Sequence, residues 1–358
     1  MKPAESIAYL RQLACLGLGS EAVMPTLLST LHELVPSTRN EFYWTDSRGL
    51  VLNTCQEHVV PSTLQLYLEA HHLFQGEHEP FPGRIALGPL TVGNFRRYRT
   101  REYYERSNIH NLICREYRTR FELDCVIRDD GKPRGILMLF RDSSGRDFST
   151  AEERLLAQLL PYFNQALEPA PRGAMEQLES EDCGIAITNA AGQLLHASPG
   201  VWHLLLQVMN PRLAPGIGWI SPAKTLPEPL RRLCRNAADI QSGREAPPPT
   251  ARIENAWGRF SFQAYPLEPV RDGFSEGSPI ALLIRRELSL ALRAMRKLKQ
   301  LPLSSRQREV ALLLALGEDS PSVQQRLGIS SETLRDHTRK IYRRLDIHSR
   351  QALVNRLR

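Results

Sequence analysis

The chain has 358 residues, of which 42% are hydrophobic and 24% charged, with a formal net charge of +7. That is enough chain for two or three packed domains. Its longest apolar run, VALLLAL at 310–316, falls well short of the roughly 18 residues a membrane span needs.

Glu5 and Arg11 interrupt the stretch where a secretory leader would be apolar, and the six cysteines (15, 55, 114, 125, 183 and 234) form no CxxC pair. Reduced thiols in a soluble, cytoplasmic protein are therefore expected. The charge is distributed unevenly. From Ile284 onward 17 Lys and Arg stand against 7 Asp and Glu, a net +10, which leaves −3 for everything before it. A localised cationic excess is the electrostatic footprint of nucleic-acid binding. A membrane surface would attract the same charge, but the apolar residues of this tail follow globular helix spacing, so no membrane partner is expected.

In chain order, residues 1–170 read as a first α+β unit. Amphipathic helices are predicted over 4–16 and 21–34, then the strand EFYWTD, the turn Ser47-Arg48-Gly49 and the strand LVLNTCQ. GLGSEA at 17–22 matches a dinucleotide-loop pattern formally, but a helix precedes it where a strand is required, so it reads as a turn between helices. The stretch 95–117 is rich in Tyr, Arg and Asn, and Trp44, Tyr98, Tyr103 and Tyr104 are candidates for lining a small-molecule pocket. Core or dimer packing is the competing reading for the same residues. His71, His72 and His78 with Glu69 and Glu77 match no regular metal spacing. A hairpin follows: RFELDCVIRD, the turn Asp129-Asp130-Gly131-Lys132, and PRGILMLFRD. Ser149 caps a closing helix carrying Leu155, Leu156, Leu159, Leu160 and Phe163. This order of elements resembles GAF-type sensor domains.

PAPRG at 169–173 separates a second unit, 174–287. It opens with the strand CGIAITN, the turn Ala190-Ala191-Gly192, the strand QLLHAS and a helix over about 199–209; TARIENAW, RFSFQAYPLE and IALLIRRE read as later strands. The arrangement resembles a PAS domain, with Trp202, His196, Trp219 and Trp257 as candidate pocket residues. A connecting helix, 288–300, carries Leu288, Ala291, Leu292, Met295 and Leu298 at heptad-like spacing over fewer than two heptads, so an amphipathic connector is expected rather than a coiled coil.

Residues 301–358 read as a helix-turn-helix. Ser304 with Gln307 forms a capping box before Val310, Leu313 and Leu314. Gly317 stops that first helix; Asp319 and Pro321 start a short second one that ends at Gly328. Ser330 then caps a third helix, 331 to about 345, whose Leu334, Thr338, Ile341 and Leu345 face a core. Its other side presents Glu332, Arg335, Asp336, Arg339, Lys340 and Arg343, a cationic ridge of the length a major groove accommodates.

The segment resembles the LuxR-type helix-turn-helix through Leu303, Ser304, Arg308, Glu309, Val310, Gly317, Val323, Leu327, Ile329, Ser330, Thr333, Leu334, Arg335, His337, Ile341, Tyr342, Leu345, Ser349 and Arg350. It departs from the family pattern at Gln324, where alanine is usual, and at Ser320-Pro321-Ser322. The resemblance implies a transcription regulator in which Arg335, Asp336 and Arg339 reach base edges while Thr333, Lys340 and Arg343 contact phosphates. An arginine fork suits guanine, and a carboxylate accepts from the cytosine amino group; an intrahelical pair with Lys340 is the alternative for Asp336. It further implies a homodimer, with Ala352, Leu353 and Asn355 of a last helix over 350–357 as contact candidates.

The expected fold is thus multidomain α+β: two α+β sensor units followed by an all-α DNA-binding domain. Double-stranded DNA and a small-molecule effector are the expected partners. No metal or cofactor is expected, and no nucleophile, base and orienting group for an enzyme can be assembled. A sensor acting through a protein partner is the alternative.

Overall fold

A computed structural model of the chain describes residues 3–76, 79–93, 101–169, 177–178, 182–216, 218–221, 226–267 and 279–357. Helices α1 (Pro3–Ala14) and α2 (Ser20–Leu31) are joined by a turn in which Gly17 and Gly19 take φ of 65° and 86°, a region glycine enters freely. The pair β1 (Arg39–Thr45) and β2 (Val51–Gln56) follows, its turn held by the Asp46 carboxylate, which accepts from the Arg48 and Leu50 amides. Next come α3 (Pro61–Glu69), α4 (Pro82–Leu87), β3 (Val92–Gly93), α5 (Arg101–Glu105) and a π-helical turn, Ile109–Cys114. The hairpin of β4 (Phe121–Asp129) and β5 (Lys132–Arg141) and the long α6 (Thr150–Ala166) complete the unit. Ser149 and Glu152 form the capping box of α6.

The first sheet is antiparallel in the order β2-β1-β5-β4-β3. Every residue of the inner strand β1 is buried, because both faces of the sheet are covered and successive side chains point to opposite sides. Phe42 and Trp44 face α1, α2 and α6 in a core with Leu13, Leu27 and Phe163. Tyr43 faces the opposite way, joining Leu64, Phe74, Ile136, Met138 and Phe140 under the α3–α4 segment.

The second unit holds β6 (Gln177–Leu178), β7 (Cys183–Thr188), β8 (Leu194–Ala197), α7 (Val201–Met209), α8 (Glu228–Gln241), β9 (Thr250–Asn255), β10 (Gly258–Pro266) and β11 (Ile280–Ser289). Its sheet runs β8-β7-β11-β10-β9. Leaving aside the short β6, each sheet counted from its own first strand therefore has the same order, 2-1-5-4-3. That topological repeat has no counterpart in the sequence. The units meet along a seam where the rings of Trp44 and Trp257 pack edge to face at 5.8 Å, the Leu213 amide donates to Asn53 Oδ1 at 2.9 Å, and Trp219 Nε1 donates to Glu69 Oε1.

The connector is shorter than the sequence predicts. β11 continues through Leu288, which pairs with Leu178 of β6, and α9 (Leu290–Gln300) starts only after Ser289, whose hydroxyl accepts from the Leu292 amide. Leu292, Ala294, Met295 and Leu298 are fully buried, so the apolar stripe of α9 is consumed inside its own chain, against α1 and the helices that follow. Those are α10 (Ser305–Ala315), α11 (Ser320–Leu327), α12 (Ser331–Leu345) and α13 (Arg350–Leu357). Of the pieces at the unit boundary, residues 170–173 lie outside the described residues, as do Glu77 and His78. No helix among the described residues is long and apolar enough to cross a membrane.

Candidate nucleic-acid interface

The geometry of α12 begins at its ends. Gly328 (φ 61°) ends α11 in the left-handed conformation, and Ser330 Oγ accepts from the Thr333 amide at 3.2 Å to start α12. One face is spent on packing: Leu334, Ile341 and Leu345 are buried, and the Thr338 hydroxyl donates to the Leu334 carbonyl. Two arginines fasten the surrounding helices. Arg344 donates to Gln307 Oε1 at 2.8 Å, tying α12 to the capping box of α10, and Arg350 donates to the Leu314 and Glu318 carbonyls at the other end of α10. A guanidinium on those last carbonyls answers acceptors that the helix itself leaves unpaired.

The outer face is open. Thr333, Arg335, Arg339, Lys340 and Arg343 are exposed and Asp336 is half-buried. Arg335, Arg339 and Arg343 stand one turn apart along a groove of about 880 Å³ that also takes in Gln324, Thr338 and His348. Of the six sequence-predicted residues, Arg335, Arg339 and Arg343 line this groove, and Thr333, Asp336 and Lys340 are not among its lining. Asp336 pairs with Lys340 at 2.6 Å and with Arg339 at 3.2 Å, and these two cations, Lys340 first, hold its carboxyl below the ordinary range. It is thus ionised and already engaged along its own helix, which fixes where the Arg339 fork rests before any ligand arrives.

The end helix departs from expectation. Leu353, expected at a dimer contact, is fully buried with Leu357 against the chain's own helices, since 353 and 357 fall on one side of α13. Asn355 is exposed and Ala352 half-buried, so these two remain on the outer side.

Of the candidate ligand residues, Trp44 and Tyr104 do not converge. Trp44 packs against Phe42 and Trp257 on the helix side of the first sheet, with its Nε1 donating to Ser20 Oγ. Tyr104 is buried, and its hydroxyl reaches Glu122 Oε2 at 3.4 Å. Tyr103 lies on α5, and Tyr98 is outside the described residues. A cavity exists, but on the other side of the sheet from Trp44, lined by Arg39, Glu41, Tyr43, Tyr67, Tyr117 and Glu122 among others. Its signal in the sequence is the alternation of Arg39, Glu41 and Tyr43 with Asn40, Phe42 and Trp44, which places polar groups on one face of a strand buried on both.

Of the second unit's candidates, His196 is exposed and Trp257 fully buried. His203, which sequence reading passed over, accepts from Gln207 Nε2 at 3.0 Å and borders Cys55 and Trp257 at the seam. Burial, aided by Arg286, pushes its pKa down to about 4.

Residues 301–357 match the family model described as bacterial regulatory proteins of the luxR family. No curated protein matches the chain. Among solved structures, VqmA of Vibrio cholera in a complex with ligand and DNA aligns at 14% identity over 49% of this chain and 82% of that one, with a TM-score of 0.20. The phage VqmA–DPO complex aligns at 17% identity, over 49% and 81%, with a TM-score of 0.18. The sensor region of a sensor histidine kinase aligns at 14%, over 79% and 90%, at 0.20. Overlaps this loose carry no argument about fold or function.

Proposed function

We propose that this chain, whose residues 301–357 are a helix-turn-helix domain of the luxR family, is a transcription regulator that reads operator DNA with α12 under the control of its two preceding units. The exposed cationic ridge of α12, set by caps and backed by a packed face, carries this reading. In it Arg335, Asp336 and Arg339 approach base edges, and Thr333, Lys340 and Arg343 hold the phosphates. Residues 1–170 and 174–287 act as GAF-like and PAS-like sensor domains for a small-molecule effector, 288–300 connects, and 301–358 binds DNA. The protein works in the cytoplasm as a homodimer on half-sites about one helical turn apart, without catalysis.

Control has a physical route, because the DNA-binding domain is docked on the first unit by its non-DNA side. Gln12 and Arg11 of α1 reach Glu309 of α10 at 3.1 and 3.5 Å. Lys299 of α9 pairs with Glu33 at 2.7 Å, and Arg296 donates to Thr26 Oγ1 while pairing with Asp182 of the second unit. A change in either unit would therefore move the platform on which α10 sits while the ridge of α12 stays open.

Selecting genomic fragments with the purified full chain tests the proposal. It predicts fragments sharing two related half-sites about ten base pairs apart. Fragments with no common sequence, bound no better than random DNA at moderate salt, would favour a sensor acting through a protein partner.

A further inference from the structure

The cavity on the α3 side of the first sheet contains buried polar atoms that have no hydrogen-bond partner among the described residues. Its walls come from four adjacent strands, β2, β1, β5 and β4, and from the segment that covers them. Arg39 is fully engaged: its Nε donates to Glu41 Oε1 at 2.9 Å, its Nη1 to Thr119 Oγ1, and its guanidinium lies 4.1 Å from the Tyr117 ring centre and 4.0 Å from that of Phe140. Glu41 is engaged too, since its other oxygen accepts from the Tyr43 hydroxyl at 2.5 Å and from Gln56 Nε2 at 3.5 Å. Arg39 and Glu41 thereby neutralise each other within the wall.

Two groups beside Tyr43 are different. The Tyr67 ring packs against Tyr43 at 6.3 Å, and Tyr67 is 5% exposed, yet its hydroxyl has no partner among the described residues. Gln56, whose amide nitrogen is held by Glu41 and Tyr43, likewise leaves its Oε1 buried and unanswered. A buried polar group left unpaired costs roughly 1–3 kcal/mol, so two in one cavity point to something that pairs them. Burial and the field of Glu41 keep the Tyr67 hydroxyl protonated, with its pKa pushed well above the ordinary tyrosine value.

We infer that this cavity binds a compact, uncharged organic molecule that donates an N–H or O–H to Gln56 Oε1 and offers a carbonyl or hydroxyl oxygen to the Tyr67 hydroxyl. The enclosed space is about 50 Å³, room for roughly three to five water-sized groups, so the buried part of the ligand has only a few heavy atoms. Leu64, Ile113, Met138 and Phe140 supply the apolar walls for its carbon skeleton. A net charge is selected against, because Arg39 and Glu41 already pair with each other, Glu122 already accepts from the Tyr104 hydroxyl, and an ion without its own partner would be stripped of water without compensation. Binding itself depends only on the cavity; its regulatory consequence rests on the reading of α12 as a DNA reader.

The test uses the full chain and three probes of equal size: acetamide, acetate and acetamidinium, followed by saturation-transfer NMR. Acetamide is expected to bind and the two ions are not. Tyr67→Phe removes only an unpartnered hydroxyl, so it should not lower the thermal midpoint while weakening acetamide three- to tenfold, and Ile113→Phe should abolish binding by filling the space. Equal binding of all three probes, or acetamide binding indifferent to both substitutions, overturns the inference. Operator affinity measured on the same samples separates the two readings. Loss of probe binding with operator binding intact sinks this site alone, and probe binding without any operator preference sinks the DNA-binding reading.

Discussion

The first unit and the last domain handle charge in opposite ways. In the first sheet Arg39, Glu41 and Glu122 are buried, and Arg39 and Glu41 are paired at 2.9 Å with their side chains 7% and 4% exposed. On α12 the Arg339 side chain is 81% exposed and rests on a neighbour of the same helix. Buried charge is tied to folding, because losing one partner strands the other in a medium that cannot solvate it. Exposed charge on a helix contributes little to stability and is free for a ligand. The same residue type thus does structural work in one place and recognition in the other.

The contrast predicts its largest effect at Arg39. Arg39→Met leaves Glu41 buried without its ion-pair partner and should destabilise the fold by about 3–5 kcal/mol in denaturant melts, whereas Arg39→Met combined with Glu41→Gln should recover much of that. A single substitution costing no more than a surface change would break the comparison. Next in size, Arg339→Ala should alter stability by no more than about 0.5 kcal/mol yet weaken specific DNA by about 1–3 kcal/mol and relax base preference. Lys340→Ala should weaken all DNA alike. Equal losses for Arg339→Ala on specific and random sequences would count against direct readout.

A smaller effect is expected at the seam. His203 is held at about 4, below the ordinary value of 6.5, so its neutral form stabilises the fold fully above pH 6.5, and that contribution is lost as pH falls from there toward 4. The melting midpoint of the intact chain should therefore drop more between pH 7.5 and pH 5 than that of His203→Gln; parallel curves would show that folding does not depress the pKa of this histidine. Smallest of all, Glu309→Ala removes a partly exposed pair with Arg11 and Gln12 and should cost at most about 1 kcal/mol, with its main consequence a change in how strongly conditions that perturb the first unit alter operator affinity.

What could be read in the sequence divides along the same line. α11 ends and α12 begins where the caps predict, because Gly328, Ser330 and the 3.6-residue apolar stripe are local signals. The hairpin with Asp130 and Gly131 at φ 46° and 73° was equally legible. The cavity was not. Glu41 and Glu122 are ordinary polar letters until strand pairing brings Glu41 opposite Met138 and Glu122 opposite Phe140, and that register is long-range. Trp44 lies away from this cavity for a related reason: its strand alternation shows that it faces away from Tyr43, but not which face holds a cavity. Leu353 reads as an outward contact on a short helix, and only the packing of α13 against the chain's own helices reverses it.

The most direct test of the account is competition between a selected genomic fragment and random DNA for the intact chain at physiological salt. The account predicts a preference of at least about a thousandfold for the selected fragment, falling sharply when Arg335 and Arg339 are both changed to alanine. Displacement by random DNA at equal concentration, with the two-arginine variant behaving like the intact chain, would contradict it.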